Sequence, residues 1–336
     1  MSPSTAESTS TNCSTRLKMT WAKLRDLTEG NARFLISSHV NPDGDSIGSQ
    51  LAFSWYLRSL GKKVTIYNRD AVPTKLAFLH DADMITTSRP PGPFDVFVVL
   101  DSSNPHRLGW KGTDSIAPIV INIDHHRDNT LFGDCHIVNT NAAATGELIY
   151  RFFAEEGVAY PPTVAEILYT AIMTDTGGFR FANTNGHVLR ICADLADRGA
   201  DCARAYRNVY ASHSPNGLLL RSRIWSTLQF HFDTRLCTME LPVAAIEQLG
   251  ASYGDAEGMA DTTVTAVGTE IGMLLKYTES ETHFSLRSNG TIDVGKIARD
   301  VGGGGHECAA GCTMPLALEP ARRSMLEIIG RVTGWR

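Results

Sequence analysis

The 336-residue sequence contains no apolar run approaching the ~20 residues that a membrane-spanning helix requires, and its N-terminus carries no apolar signal-peptide core. These absences predict a cytoplasmic protein with no membrane partner. There is no C-x-x-C pair. The seven cysteines, at positions 13, 135, 192, 202, 237, 308 and 312, are scattered and read as reduced thiols, not as a disulfide framework or a thiolate zinc site. Positive charge is also in short supply: 31 Lys and Arg stand against 36 Asp and Glu, a net charge of −5. That excludes a large electrostatic footprint on duplex DNA. A small anionic substrate remains admissible, because a local cluster of cations outweighs the global sign.

Apolar residues make up 43% of the chain and charged residues 20%, enough for a folded protein whose length suggests two domains. Residues 1–18 are rich in Ser and Thr, and a disordered tail is expected there. From residue 19 to about 211, apolar strands alternate with helical periodicity, the pattern of βαβ units on a parallel sheet. Strands are expected at 33–38, 63–67, 94–100 and 116–123, and helices at 47–60, 142–155 and 163–173. A breaker cluster, Ser212-His213-Ser214-Pro215-Asn216-Gly217, and a helix to about Trp225 mark the boundary. The remainder reads as a smaller α+β domain.

The stretch Ser38-His39-Val40-Asn41-Pro42-Asp43-Gly44-Asp45 places a His and two Asp on a Pro/Gly-bent loop after an apolar strand. Further apolar strands end in Asp101 and in Asp124-His125-His126, and a predicted helix ends in Thr174-Asp175. In a parallel sheet, consecutive strand ends open to the same edge, so these groups converge although they are far apart in sequence. One strand-end Asp alone reads as a cap or turn residue, and four such segments together do not. So many carboxylates and imidazoles repel one another unless cations lie between them. Oxygen-rich ligands with some His suit Mn²⁺ or Mg²⁺, and a pair of ions would clamp a phosphoryl group. In the second domain, Gly302-Gly303-Gly304-Gly305-His306 before an expected helix start reads as a loop able to close around an anion, with Arg287 upstream. Asn141 or Thr140 is expected to cap the 142–155 helix.

In combination these motifs resemble the DHH phosphoesterase superfamily, named for the tripeptide present here as Asp124-His125-His126. The Arg287-Ser288 segment and Gly303-Gly304-Gly305-His306 resemble its associated C-terminal domain. The resemblance spans about residues 20–336. It implies an α/β fold: an N-terminal parallel-sheet domain plus a smaller C-terminal α+β domain, with the active site in the cleft between them. It implies a catalytic metal-binding domain over 19–211, a linker helix over 212–226 and a substrate-binding domain over 227–336. Carried over by position, it assigns His39, Asp43 and Asp101 to one Mn²⁺, and Asp45, Asp101, His125 and Asp175 to a second, with Asp101 bridging. His126 would face the phosphate and Asp124 would orient the His pair. Arg287, Ser288, Gly303, Gly304, Gly305 and His306 would grip the substrate.

The short two-domain form is similar to the bifunctional oligoribonucleases that also dephosphorylate 3'-phosphoadenosine 5'-phosphate. This implies a Mn²⁺-dependent hydrolase of short single-stranded RNA or dinucleotides, and a homodimer. A soluble cyclic-di-AMP or linear dinucleotide phosphodiesterase is a second reading. A non-catalytic nucleotide-binding regulator is a third, of a different class.

Overall fold

A computed structural model describes residues 17–112, 115–305 and 307–336. Most of the predicted tail, Cys13 and His306 lie outside the described residues. The chain separates into two compact units that meet in sequence between Ser212 and His213.

The first unit is built on a seven-stranded sheet: β1 (Leu17–Lys18), β2 (Arg33–Ser37), β3 (Lys63–Tyr67), β4 (Ile85–Thr86), β5 (Val96–Leu100), β6 (Ile119–Asp124) and β7 (Cys135–Val138). The strand order is β1-β7-β6-β5-β2-β3-β4 and every pairing is parallel. β5 (Val-Phe-Val-Val-Leu) is wholly buried because both faces of the sheet are covered. Phe34, Ile36, Val96, Val98 and Leu100 face the helical layer. Leu35, Phe97 and Val99 face a smaller cluster with Tyr67, Leu108 and Phe132. The order β6-β5-β2 brings the ends of three site-bearing strands side by side, with Asp101 of β5 in the middle. Sequence periodicity did not find β1, β4 or β7, which are two to four residues long.

Six helices follow: α1 (Trp21–Gly30), α2 (Gly44–Ser59), α3 (Thr145–Glu155), α4 (Pro162–Asp175), α5 (Gly186–Asp197) and α6 (Cys202–Tyr210). Two boundaries differ from the sequence expectation in ways that matter. α2 begins three residues early, so Asp45 lies in its first turn and only His39 and Asp43 remain on the loop. The cause is Asp43, which N-caps α2 by accepting the Ser46 N–H at 3.0 Å. α3 begins at Thr145, after a bent segment, so neither Thr140 nor Asn141 caps it; its N-cap position is Ala144, whose side chain accepts nothing.

α2 is buried along almost all of its first thirteen residues, lying between the sheet and the helices α3 and α4. Its approach to α4 needs Gly48, where a Cβ would sit 2.8 Å from Ala171 Cβ and 2.9 Å from the Ile167 carbonyl. Gly146 of α3 is equally tight, at 2.6 Å from Ala171 Cβ. Both contacts press the helix starts onto the sheet edge where the acidic residues gather.

The second unit contains a six-stranded mixed sheet of order β12-β13-β11-β10-β9-β8. Its elements are α7 (Pro215–Trp225), β8 (Gln229–His231), β9 (Leu236–Pro242), α8 (Ala244–Gln248), α9 (Met259–Thr262), β10 (Ile271–Tyr277), β11 (Thr282–Ser288), α10 (Val294–Arg299), β12 (Gly304–Gly305), β13 (Ala309–Met314) and α11 (Leu318–Thr333). β9 and β10 are parallel and the other neighbours antiparallel. One face packs on α10 and α11 through Phe284, Leu286, Ile297 and Met325. α7 contributes Leu220 and Ile224 to a second core with Met239, Leu241 and Leu274.

No helix follows the glycine run, against the sequence expectation. Gly304 and Gly305 form β12 and pair with β13 in a hairpin. Glycine is required there for close packing: a Cβ on Gly303 would lie 2.3 Å from the Gly311 carbonyl, and one on Gly305 would lie 2.5 Å from Ala310 Cα.

The tight α2–α4 contact predicts that Gly48→Val destabilises the protein by about 1–3 kcal/mol through overpacking. The midpoint of urea unfolding reads the effect, and an unchanged midpoint would show that the helices separate at no cost.

Candidate metal centre

Three strand ends and two helix ends build one site. His39 follows β2, Asp101 follows β5, and Asp124 closes β6 ahead of His125 and His126. Asp43 and Asp45 open α2, and Asp175 is the last residue of α4. Ligand atoms of His39, Asp43 and Asp101 lie within 4.8 Å of one another, as do those of Asp45, His125 and Asp175, and those of Asp101, His125 and His126.

Asp101 joins these groups. It is buried, and its backbone takes the left-handed conformation, φ 55°, that turns its carboxylate across the strand ends. Its Oδ2 lies 3.4 Å from His39 Nε2, on the β2 side. Its Oδ1 lies 3.6 Å from His125 Nε2, on the β6 side, and accepts the Thr145 hydroxyl at 3.1 Å.

Two of the imidazoles, His39 and His125, are held by backbone carbonyls. His39 Nδ1 meets the Val40 carbonyl at 2.8 Å and His125 Nδ1 meets that of Ala142 at 3.2 Å. A proton on each Nδ1 satisfies these contacts and leaves each Nε2 lone pair facing the carboxylates. His39 Nε2 is buried and has no hydrogen-bond partner among the described residues. A buried acceptor of this kind is costly unless something else occupies its lone pair.

Electrostatics carry the same message. Burial pushes the Asp45 pKa well above the usual carboxylate range, and the Asp101, Asp175 and Asp43 charges add to the shift. Asp175 is raised to about 7, again chiefly by burial, with His125 opposing and Asp101 adding. At Asp101 burial acts upwards, yet His39, His125 and His126 together pull the pKa below the carboxylate range. Burial disfavours charge on His126. The bond from its Nδ1 to Asp124 Oδ1 at 2.7 Å, with the Asp101 charge, outweighs this and lifts the pKa to about 9. Several carboxylates compressed around buried imidazoles form a donor set that fits divalent cations: hard oxygen ligands and neutral Nε2 donors, with no thiolate.

Several contacts that organise this centre carried no sequence signal. Asp45 accepts the Thr145 N–H at 2.6 Å on Oδ2 and the Gly146 N–H at 2.7 Å on Oδ1, so it caps α3 from a hundred residues away. Asn129 donates to Asp124 Oδ2 at 2.5 Å and to Asn122 at 2.8 Å. Such pairs form through space between residues that the sequence does not bring together. Asn183, adjacent in sequence to the Asp175 motif, donates to the carbonyls of Ala143 and Asp175, both at 3.1 Å.

Of the residues predicted to grip substrate, Arg287 lies on the solvent-facing side of β11, where Asp261 accepts from its Nε and the Leu286 carbonyl accepts from Nη1 at 3.0 Å. Ser288 faces the opposite side. Its hydroxyl accepts the Gly290 N–H at 3.1 Å and so shapes the turn after the strand. Gly304 and Gly305 are exposed on the β12 hairpin. His306 falls outside the described residues.

The profile of the DHH family, N-terminal domain, matches residues 33–172, and that of the DHHA1 domain matches residues 237–332. The bifunctional oligoribonuclease and PAP phosphatase NrnA of Thermus thermophilus is 34% identical over 317 residues, covering 92% of this chain and 94% of the relative. The Bacillus subtilis protein of the same name is 24% identical over 283 residues, covering 83% and 88%. The crystal structure of an exopolyphosphatase-related protein from Bacteroides fragilis superposes with a TM-score of 0.86 at 26% identity, covering 93% of this chain and 95% of that one. Among the described residues no helix is long and apolar enough to cross a membrane.

The shifted pKa values set a pH dependence. Folded Asp175 holds a proton up to about pH 7, whereas an unfolded Asp releases it near pH ~4. Folded His126 holds one up to about pH 9 against ~6.5 unfolded. Between each pair of values the folded state binds more protons, so the stability of metal-free protein falls as pH rises. Tm measured in EDTA should drop by several degrees from pH 6 to pH 9, at ~2–4 °C per kcal/mol for a chain of this size. Saturating Mn²⁺ should reverse the trend, because ligation displaces the Asp175 proton. A Tm in EDTA that rises across this interval would refute the assignment.

Proposed function

Because the chain belongs to the DHH family, we propose that it is a Mn²⁺-dependent phosphoesterase of short RNA oligonucleotides that also dephosphorylates 3'-phosphoadenosine 5'-phosphate. The observation that carries this reading is the two-sided Asp101 carboxylate, one oxygen toward His39 and the other toward His125. His39, Asp43 and Asp101 would hold one Mn²⁺, and Asp45, Asp101, His125 and Asp175 the other; Mg²⁺ suits the same oxygens. Bound cations would supply a water of lowered pKa and positive charge beside the phosphoryl oxygens.

The remaining work falls to side chains of this chain. With Nδ1 committed to Asp124, the donor of a protonated His126 toward a phosphoryl oxygen is Nε2–H. That proton stabilises charge developing in the transition state. Asn129 fixes the second oxygen of Asp124, so the dyad keeps one orientation. In the second unit, Asp261 and the Leu286 carbonyl take Nε and Nη1 of Arg287, and among the described residues Nη2 has no hydrogen-bond acceptor, which leaves it for a phosphate. The β12 hairpin and His306 complete the grip, and Ser288 positions the turn next to Arg287.

The two named relatives support both activities for this chain, since they match it along most of their length. A side-by-side Mn²⁺ assay on dinucleotides, short RNA oligomers, 3'-phosphoadenosine 5'-phosphate and cyclic-di-AMP tests the reading. Hydrolysis confined to cyclic-di-AMP would favour the alternative phosphodiesterase, and binding without turnover a nucleotide-binding regulator.

Two substitutions separate the roles. Asp101→Ala should reduce hydrolysis to background, and near-normal turnover by that variant would refute a shared ligand. Arg287→Ala should raise KM about tenfold or more with kcat little changed, the scale of a charged hydrogen bond worth ~1.5–3 kcal/mol.

A further inference from the structure

Glu147 is a buried carboxylate, 1% exposed, in the first turn of α3, and no step derived above uses it. Its Oε2 accepts the backbone N–H of Ala143 at 2.7 Å, and its Oε1 pairs with Arg151, with His187 Nε2 at 3.6 Å. Ala143 lies in the bend that leads into α3, and residues 142–146, the bend with the first two residues of the helix, touch the metal centre at four points. The Ala142 carbonyl orients His125, the N–H groups of Thr145 and Gly146 hold both oxygens of Asp45, and the Thr145 hydroxyl holds Asp101. The segment is tied down at Ala143 from two sides: Glu147 takes its N–H, and Asn183 donates to its carbonyl while also holding the Asp175 carbonyl. A carboxylate withdrawn from water is costly unless it is paired and hydrogen-bonded. Here the pairing is complete, and the backbone group it fixes is next to the carbonyl that sets the His125 tautomer.

We propose that Glu147 is a positioning residue for the metal centre: by pinning the Ala143 N–H it fixes the 142–146 segment that orients His125, Asp45 and Asp101 for a divalent cation. Asn183 is its counterpart on the Ala143 carbonyl. This inference rests on the reading of the centre as a cation site. Groups that orient metal ligands through hydrogen bonds typically change affinity by about 10–100-fold when removed.

The test is Mn²⁺ binding to the full chain by titration calorimetry, with Tm in EDTA recorded alongside. Glu147→Ala should weaken Mn²⁺ binding about 10–100-fold. Glu147→Gln retains an acceptor for the Ala143 N–H and should stay within a few-fold of wild type. Glu166→Ala is the control. Glu166 is also buried but pairs with Arg204 at 2.8 and 2.6 Å on α4 and α6, so its loss should lower Tm and leave Mn²⁺ affinity unchanged. A folded Glu147→Ala with wild-type Mn²⁺ affinity would overturn the inference alone. Should Glu147→Ala not fold, Asn183→Ala is read in its place, and wild-type affinity there overturns it equally. Wild-type protein that binds no Mn²⁺ would remove the cation reading itself, and this inference with it.

Discussion

The arrangement depends on the crowding of buried negative charge around Asp101. Asp45 and Asp101 are almost completely withdrawn from water, and Asp175 and Asp43 lie close by. Like charges at such separations destabilise a protein that must keep them ionised. The fold meets this with backbone and side-chain groups together: the N-terminus of α3 against Asp45, a hydroxyl against Asp101, and imidazoles on both sides. These donors leave the Asp45 and Asp175 pKa values raised. The remaining imbalance is one that a divalent cation would offset.

Topology explains why Asp101 holds the central place. The strand order puts β5 between β2 and β6, so the residue after β5 is flanked by those after its neighbours. A carboxylate has two oxygens, and a left-handed backbone at that one residue faces them to opposite sides. The glycines that let α2, α3 and α4 close over the sheet edge serve the same end, since any side chain at Gly48 or Gly146 would push the helix starts away.

The parallel sheet was legible because its central strands are continuous apolar runs, and the site residues because His and Asp stand after those runs, on the bent loop that follows the first of them, or at a helix end. Asp43, Asp45, Asp101 and His125 could therefore be named from sequence, and the structure brings their side chains together. What stayed hidden had local or through-space causes. The start of α2 moved because Asp43 caps it, and that of α3 because its cap is a side chain remote in sequence. The glycine run looked like a loop before a helix, but its spacing serves backbone contact in a hairpin. The partners of Glu147 and Asn129 were hidden for a third reason: a polar residue in an amphipathic helix or a turn gives no hint of which buried group it will reach.

The cap of α3 by Asp45 also bears on how the molecule comes into being. An ordinary N-cap forms with its own helix, inside a few residues and on the timescale of local structure. This one closes across a hundred residues, so the first turn of α3 gains its partner only when α2 and α3 come together. The site thus depends on contacts between residues far apart in sequence, and a chain with its sheet formed but α3 unseated would hold every candidate ligand residue and no site.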